Sequence, residues 1–352
     1  MGKNLESALA NINKKFGQGT IMTLGEQIPV QQNLLSSGSL LIDKALGGGI
    51  PIGYKDRGGT GRIVEVFGVE SSGKSTLALQ FAAECQKEGG TVAYVDVENA
   101  LDTTYAKKLG VDTDAMIFTQ PSSAEQALEI VRMLADSGEV NLVIVDSVAA
   151  LAPQAELDGE MGDVTIGQLA RLMSKSLRVL AGLLNEKTCS VIFINQLREK
   201  INTGFSMGDP TTTSGGRALK YYASQRIELR KTTAIKNGDQ VIGNNVKVKI
   251  VKNKIAPPMK VVEVPMIFGE GFARGDDEIL ELAFDYELIQ KAGSWYATHD
   301  GQRFQGKSAV KEYYKANPEL IAYLKENVIR LIKGEEIPQE FSINPKTGEV
   351  IM

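Results

Sequence analysis

Histidine occurs once in this chain of 352 residues, at His299. That excludes a histidine-rich metal centre and argues against catalysis built on an imidazole. Cysteine occurs twice, at Cys85 and Cys189, each inside an apolar run. Two thiols cannot form a disulfide framework, and each is expected to pack as a small hydrophobe. No apolar stretch approaches the roughly 18 residues of a membrane span. The opening Met1-Gly2-Lys3-Asn4-Leu5 leads into a polar amphipathic segment, not an apolar signal run, so a reducing cytoplasm is the expected location.

With 43% hydrophobic and 23% charged residues, the composition is that of an ordinary globular protein. The length suits one large α/β domain with one or two small units. The net charge of −4 is unevenly spread. From Arg198 to Lys260 there are 13 Lys/Arg against four acids, a local +9 that leaves −13 on the remainder. Such a basic block points to a polyanion partner for one face, although a solvated basic surface has the same composition.

Residues 68–76 read Gly68-Val69-Glu70-Ser71-Ser72-Gly73-Lys74-Ser75-Thr76, the string GxxxxGK[ST]. An apolar run, 62–67, precedes it and a helical run, 77–83, follows. In that setting the two glycines let backbone N–H groups converge on a phosphate, and the helix N-terminus adds partial positive charge. Lys74 is placed to reach the β- and γ-phosphates, and the Ser75 hydroxyl to join a Mg²⁺ shell. The chain is read as binding a nucleoside triphosphate, ATP, with Mg²⁺.

Helical spacing over 5–16 stops at Gly17. Strand-like runs at 63–67, 91–97, 115–119, 142–146 and 190–195 alternate with helical runs at 76–87, 103–109, 124–137 and 164–185. This predicts a mostly parallel sheet flanked by helices, with ligands at the carboxyl ends of the strands. Residues 197–216 read as a long Gly/Thr-rich loop, of a length that is usually either functional or disordered. β-hairpin patterns follow to Ile267, with a turn expected at Gly243-Asn244-Asn245. A smaller α+β unit begins near Arg274, and 334–352 reads as a tail.

Asp146 ends a buried strand and is placed to complete the Mg²⁺ shell opposite Ser75. Glu98, at another strand end, is positioned to orient or deprotonate an attacking water. Tyr105, shortly after Asp102, could stack on a base or pack in the core. Gln196 closes the strand before the long loop and could sense a γ-phosphate. By parity, Lys247 and Lys249 share one strand face and Lys252 and Lys254 the other, provided no bulge intervenes. Arg171, Lys175 and Arg178 fall along one face of a helix whose other face is apolar.

The strings GVESSGKST, VDVENALDTTYAKKLGVD, LVIVDSVAAL, FINQLREK, TTTSGGRALKYYAS and VKNKIAPP closely resemble, in this order, the bacterial RecA recombinase family, and the resemblance covers about residues 5–335. It implies a protein that polymerises on single-stranded DNA with ATP, forms a helical homo-polymer, searches double-stranded DNA for homology and exchanges strands. The implied fold is a P-loop NTPase core with an N-terminal polymerisation helix and a small C-terminal α+β domain. The corresponding boundaries are 1–35, 36–272, 273–333 and a tail, 334–352.

The same resemblance assigns roles position by position. Lys74, Ser75 and Asp146 look like the phosphate and Mg²⁺ ligands, Glu98 like the catalytic carboxylate, and Asp102 and Tyr105 like adenine contacts. Gln196 is similar to the γ-phosphate sensor, and Lys252 and Lys254 to lysines that reach a neighbour's ATP. DNA is implied at the loops 156–167 and 197–213, hence at Arg198, Lys200, Thr211, Thr212 and Thr213. The adjoining Gly215 and Gly216, Arg171 and Arg178 on the helix, and Lys247 and Lys249 of a secondary site complete that set. A LexA-type repressor is a further implied partner.

Several positions depart from the family pattern. Val69 stands where proline is usual and Ser75 where threonine is usual. Extra residues occupy 54–60, the 197–213 loop is slightly long, and the tail lacks a strongly acidic run. A ring-forming helicase with the same nucleotide core, or an assembly protein in which ATP only cements a filament, are the alternative readings.

Overall fold

The computed structural model of the chain describes residues 2–21, 32–160, 167–199, 211–337, 342–343 and 350–351. Helix α1 (Lys3–Phe16) precedes an antiparallel pair, β1 (Asn33–Leu35) and β2 (Ile50–Ile52), which brackets α2 (Leu40–Leu46). Strand and helix then alternate through β3 (Ile63–Gly68), α3 (Lys74–Lys87), β4 (Val92–Asp96), α4 (Thr103–Lys108) and β5 (Ile117–Thr119). The alternation continues with α5 (Ala124–Ser137), β6 (Leu142–Asp146), α6 (Gln154–Leu157), α7 (Gln168–Leu184) and β7 (Ser190–Glu199). Next come β8 (Thr211–Thr213), α8 (Ala218–Tyr222), β9 (Gln225–Asn237), β10 (Gln240–Asn253), β11 (Val261–Ile267) and β12 (Gly271–Phe272).

These strands form one large sheet in the order β12-β11-β10-β9-β3-β7-β6-β4-β5, with β8 added beside β7. From β9 to β5 all neighbours are parallel, and β10 to β12 extend the sheet as antiparallel strands. The expected α/β class, a mostly parallel sheet flanked by helices, is what is observed.

Alternation along the strands loads both faces. Val64, Val66, Ile144, Ile192 and Ile194 pack with Leu77 and Phe81 of α3 on one side. Ile63, Val143, Val145, Val191 and Phe193 pack with α5 and α7 on the other. Each such side chain, fully withdrawn from water, contributes about 1.5–3 kcal/mol. The expected 164–185 helix is Gln168–Leu184, and residues 161–166 lie outside the described residues.

The turn expected at Gly243-Asn244-Asn245 is not there. Those residues lie within β10, paired with Ile267, Met266 and Pro265 of β11. The hairpin closes instead at Gly238-Asp239, between paired Asn237 and Gln240. Gly238, at φ +60, supplies the backbone conformation that a two-residue turn needs at its first central position.

The extra residues 54–60 fold back on the core. Tyr54 and Gly58 exchange backbone hydrogen bonds, and the Arg57 guanidinium lies 3.9 Å from the Tyr54 ring centroid. Arg57 also pairs with Glu88 beyond the end of α3 at 3.1 Å.

A separate apolar cluster builds the C-terminal unit from α9 (Asp276–Asp285), the meander β13 (Gln290–Ala292), β14 (Trp295–Ala297) and β15 (Arg303–Gln305), α10 (Lys307–Ala316) and α11 (Pro318–Ile332). Glu278 of α9 holds this unit to the core, accepting from Leu41 N at 2.7 Å and Ser39 Oγ at 2.5 Å.

Candidate nucleotide and DNA site

The phosphate loop joins β3, buried throughout, to α3. Gly73 caps the helix at φ +93, where a Cβ would meet Met266 Sδ at 2.6 Å; at Gly68 a Cβ would meet Leu229 O at 2.3 Å. Only glycine fits either position. Lys74 is buried and bends back, its Nζ donating to Val69 O at 2.8 Å. Burial pushes its pKa down, opposed by the nearby Asp146, Glu98 and Glu70 carboxylates. An anionic ligand at the loop gives this ammonium a stronger partner than a neutral carbonyl.

Ser75 Oγ donates to Asp146 Oδ2 at 2.6 Å, and Tyr94 Oη donates to the same oxygen at 2.7 Å. Burial raises the Asp146 pKa, opposed by these two hydrogen bonds. A serine hydroxyl beside one buried carboxylate suits a hard cation that takes its other ligands from phosphate and water. Among the described residues no cluster of three or more His, Cys, Asp or Glu offers an all-protein metal cage.

Glu98, just past β4, gathers the ends of two further strands. Its Oε1 accepts from Ser147 Oγ, which follows β6, and from Gln196 Nε2 of β7 at 3.0 Å. The structure thus brings together Lys74, Ser75, Asp146, Glu98 and Gln196 at the carboxyl ends of β3, β4, β6 and β7.

A cavity of about 340 Å³ opens at the loop, lined by Ser71 to Thr76, Tyr105, Met266, Phe268 and Gly269. Tyr105 Oη lies 2.9 Å from Thr76 Oγ1. Asp102 Oδ1 caps α4, accepting from Thr104 N at 2.8 Å and Tyr105 N at 3.1 Å, and so fixes the helix that presents Tyr105. Met266, Phe268 and Gly269 were missed from sequence. An aromatic Phe268 beside Gly269 was the available signal, but only the fold carries the end of β11 to a loop nearly 200 residues upstream.

Lys252 and Lys254 do not line that cavity. Lys252 Nζ donates to Lys220 O and Tyr221 O, each at 2.8 Å. Lys254 lines a separate cavity of about 680 Å³ with Arg62, Tyr221 and Tyr222. The parity expectation for these lysines is corrected by a bulge. Val248, Ile250 and their cross-strand partners are buried, so Lys247 and Lys249 face the other way, opposite Arg230 and Glu228. The register then slips between Ile250 and Lys252, which places Lys252 opposite Arg226 and on the same side as Lys247 and Lys249.

On α7, Arg171, Lys175 and Arg178 are exposed, opposite buried Met173, Leu177 and Leu180. Arg198 is exposed on β7 and pairs in register with Thr212, as Glu199 does with Thr211. Thr213 is buried, and Gly215 and Gly216 turn the chain against Val148 and Ala170. Lys200, with the remainder of both expected DNA loops (161–166 and 201–210), lies outside the described residues, as do Glu340, Lys346 and Glu349 of the tail. Arg230, beside Lys247 on the same face, is a basic residue the sequence reading passed over.

Residues 3–273 match the family described as RecA N-terminal domain, and residues 277–333 match RecA C-terminal domain. Protein RecA of Clostridium novyi (strain NT) is 49% identical over 329 residues, 93% of this chain and 91% of the relative. Protein RecA of Nocardioides sp. (strain ATCC BAA-499 / JS614) is 46% identical over 345 residues, 97% and 95% of the two chains. Protein RecA of Caulobacter sp. (strain K31) is 48% identical over 347 residues, 98% and 94%.

Proposed function

The chain belongs to the RecA family, and from that premise we propose how its residues turn over ATP and grip DNA. It is an ATP-dependent recombinase and DNA-dependent ATPase of homologous recombination and repair, and it polymerises on DNA. The observation that carries the reading is the convergence of Lys74, the Ser75–Asp146 pair and the Glu98–Gln196 pair at one end of the sheet.

Loop N–H groups of 68–76 and the α3 N-terminus hold the phosphates, and Lys74 exchanges the Val69 carbonyl for the β- and γ-phosphates. Ser75 and Asp146 would hold Mg²⁺, which when bound neutralises phosphate charge and orients the γ-phosphate. Tyr105 and Phe268 flank the base. Glu98 orients the attacking water and takes its proton. Gln196 exchanges Glu98 for the γ-phosphate, and that exchange links bound ATP to the grip on single-stranded DNA.

Lys252 and Lys254 act in trans, on the ATP of the adjoining copy. A cation supplied across an interface in this way is worth about 10³–10⁵ in rate in comparable phosphoryl transfers. Residues 1–35 serve polymerisation, 36–272 ATP and DNA, and 273–333 form the C-terminal domain. Arg171, Arg178, Arg198, Lys200, Thr211, Thr212, Gly215 and Gly216 contact the first strand, Lys247 and Lys249 receive the double-stranded partner, and Thr213, being buried, drops out of the expected DNA set. No described helix is long and apolar enough to cross a membrane; a cytoplasmic location and a LexA-type repressor as partner belong to the same proposal.

Strand exchange with homologous and heterologous duplexes tests this reading. Homology-dependent, ATP-dependent joint molecules are expected, with open helical filaments in electron micrographs. Closed rings that unwind either duplex equally would make the protein a helicase.

A further inference from the structure

A row of polar side chains crosses the core of the sheet on the face that is otherwise packed by α5 and α7. Glu65 on β3 is completely buried. Across the parallel β3–β9 pairing it lies beside Arg226, whose Nε donates to Glu65 Oε2. The Arg226 guanidinium also sits 4.4 Å from the Phe67 ring centroid, so it is packed as well as paired. On the other side, Asn195 Nδ2 donates to Glu65 Oε1 at 3.1 Å. The next residue across the sheet from Arg226 is Lys252, brought onto this face by the bulge in β10.

The two ends of the row touch Gln196 and Ser214 at one side and Lys252 at the other. Asn195 Oδ1 accepts from the backbone N–H of Gln196 at 2.9 Å, and Asn195 Nδ2 donates to Ser214 O at 3.1 Å. One amide therefore contacts both flanks of the long loop. At the far end, Lys252 is retained by two backbone carbonyls at the end of α8, and its proton affinity is lowered by burial and by Lys254 and Arg226. To reach a phosphate on another copy it has to leave those carbonyls.

We propose that Asn195, Glu65 and Arg226 are positioning residues that couple the state of Gln196 in one subunit to the placement of the Lys252 that subunit presents to its neighbour. This rests on Lys252 acting in trans. A buried ion pair with a hydrogen-bonded amide on one side is stiff, because separating its charges in the interior is expensive. Movement of Asn195 with Gln196 is therefore passed to Arg226 rather than absorbed. Each copy's own nucleotide then gates hydrolysis in the next copy, so the coupling runs one way along the polymer.

The test uses mixed polymers on single-stranded DNA. Asn195→Ala alone is expected to lower DNA-dependent turnover about tenfold, in the range by which residues between coupled sites act. Glu98→Gln subunits do not hydrolyse their own ATP but present an intact Asn195–Glu65–Arg226–Lys252 row. Adding them should raise turnover per Asn195→Ala subunit in proportion to their share of the polymer. Turnover per Asn195→Ala subunit that stays flat, or falls, overturns the proposal, because Asn195 then acts only on its own site. Lys252→Ala is mixed in the same way. If Glu98→Gln rescues Lys252→Ala but not Asn195→Ala, only the coupling fails; if it rescues neither, the trans reading fails and the coupling with it. Should Asn195→Ala not fold, judged by its thermal unfolding, Arg226→Lys takes its place, keeping the charge while losing the geometry to Glu65.

Discussion

Replacing Glu98 with glutamine removes a negative charge and a proton acceptor while leaving an oxygen where the carboxylate Oε1 now accepts from Ser147 Oγ and Gln196 Nε2. The surrounding hydrogen bonds can persist, and neither Lys74 nor Ser75 loses a direct partner, since Lys74 Nζ bonds Val69 O and Ser75 Oγ bonds Asp146. Losing a positioned general base costs about 10²–10⁴ in rate, which is roughly 2.7–5.4 kcal/mol on the barrier at 1.36 kcal/mol per tenfold. The expected phenotype is therefore split. Single-stranded-DNA-dependent phosphate release should fall at least a hundredfold, measured at saturating ATP. ATP-dependent binding of a labelled oligonucleotide, followed by anisotropy, should be retained and should outlast that of the wild type. Hydrolysis within about tenfold of wild type would mean that another group handles the water. Loss of nucleotide binding would mean that Glu98 shapes the pocket instead of acting on the reaction.

Phe268→Ala should weaken nucleotide binding by about 1–3 kcal/mol, the scale of losing an aromatic platform beneath a base, with little change in turnover at saturation; titration with a fluorescent ATP analogue reads this, and unchanged affinity removes Phe268 from the site. The affinity for single-stranded DNA should fall linearly on a log–log plot against salt, with a slope near −0.7 for each phosphate neutralised, and Lys247→Ala should flatten the slope for duplex but not for the first strand. Asp43, buried at the join to the C-terminal unit and hydrogen-bonded to Ser36 and Ser37, is pushed by burial from the ordinary 3.8 up to about 7. The folded protein therefore holds a proton that the unfolded chain has released, so this stabilisation is full below pH 3.8 and is lost as pH rises through about 7. Urea midpoints of Asp43→Asn and wild type should diverge across that window, the wild type losing more on the way up; parallel curves would refute the assignment.

The nucleotide end of the molecule was legible because its chemistry is local. A phosphate cradle needs glycines and an ammonium at fixed spacing within one turn, and the strand-ending acids Glu98 and Asp146 announce themselves after apolar runs. The hairpin turn was misplaced because Gly243, which could have served a turn, instead lets β10 approach Met266 of β11 closely. Gly238-Asp239, the pair that makes the turn, carried the better signal.

The face of Lys252 could not be read from alternation, since a bulge of a single residue inverts every side chain beyond it and leaves no mark in the composition. Phe268 reaches the phosphate loop, and Arg226 reaches Glu65, across separations of 161 residues or more in the chain. What the amino-acid order determined alone was the local business: the loop that binds phosphate, the alternation that makes a parallel sheet, the block of positive charge. Which distant side chains meet, and on which side of the sheet the lysines emerge, was decided only by packing, because strand order and register arise from the whole core at once.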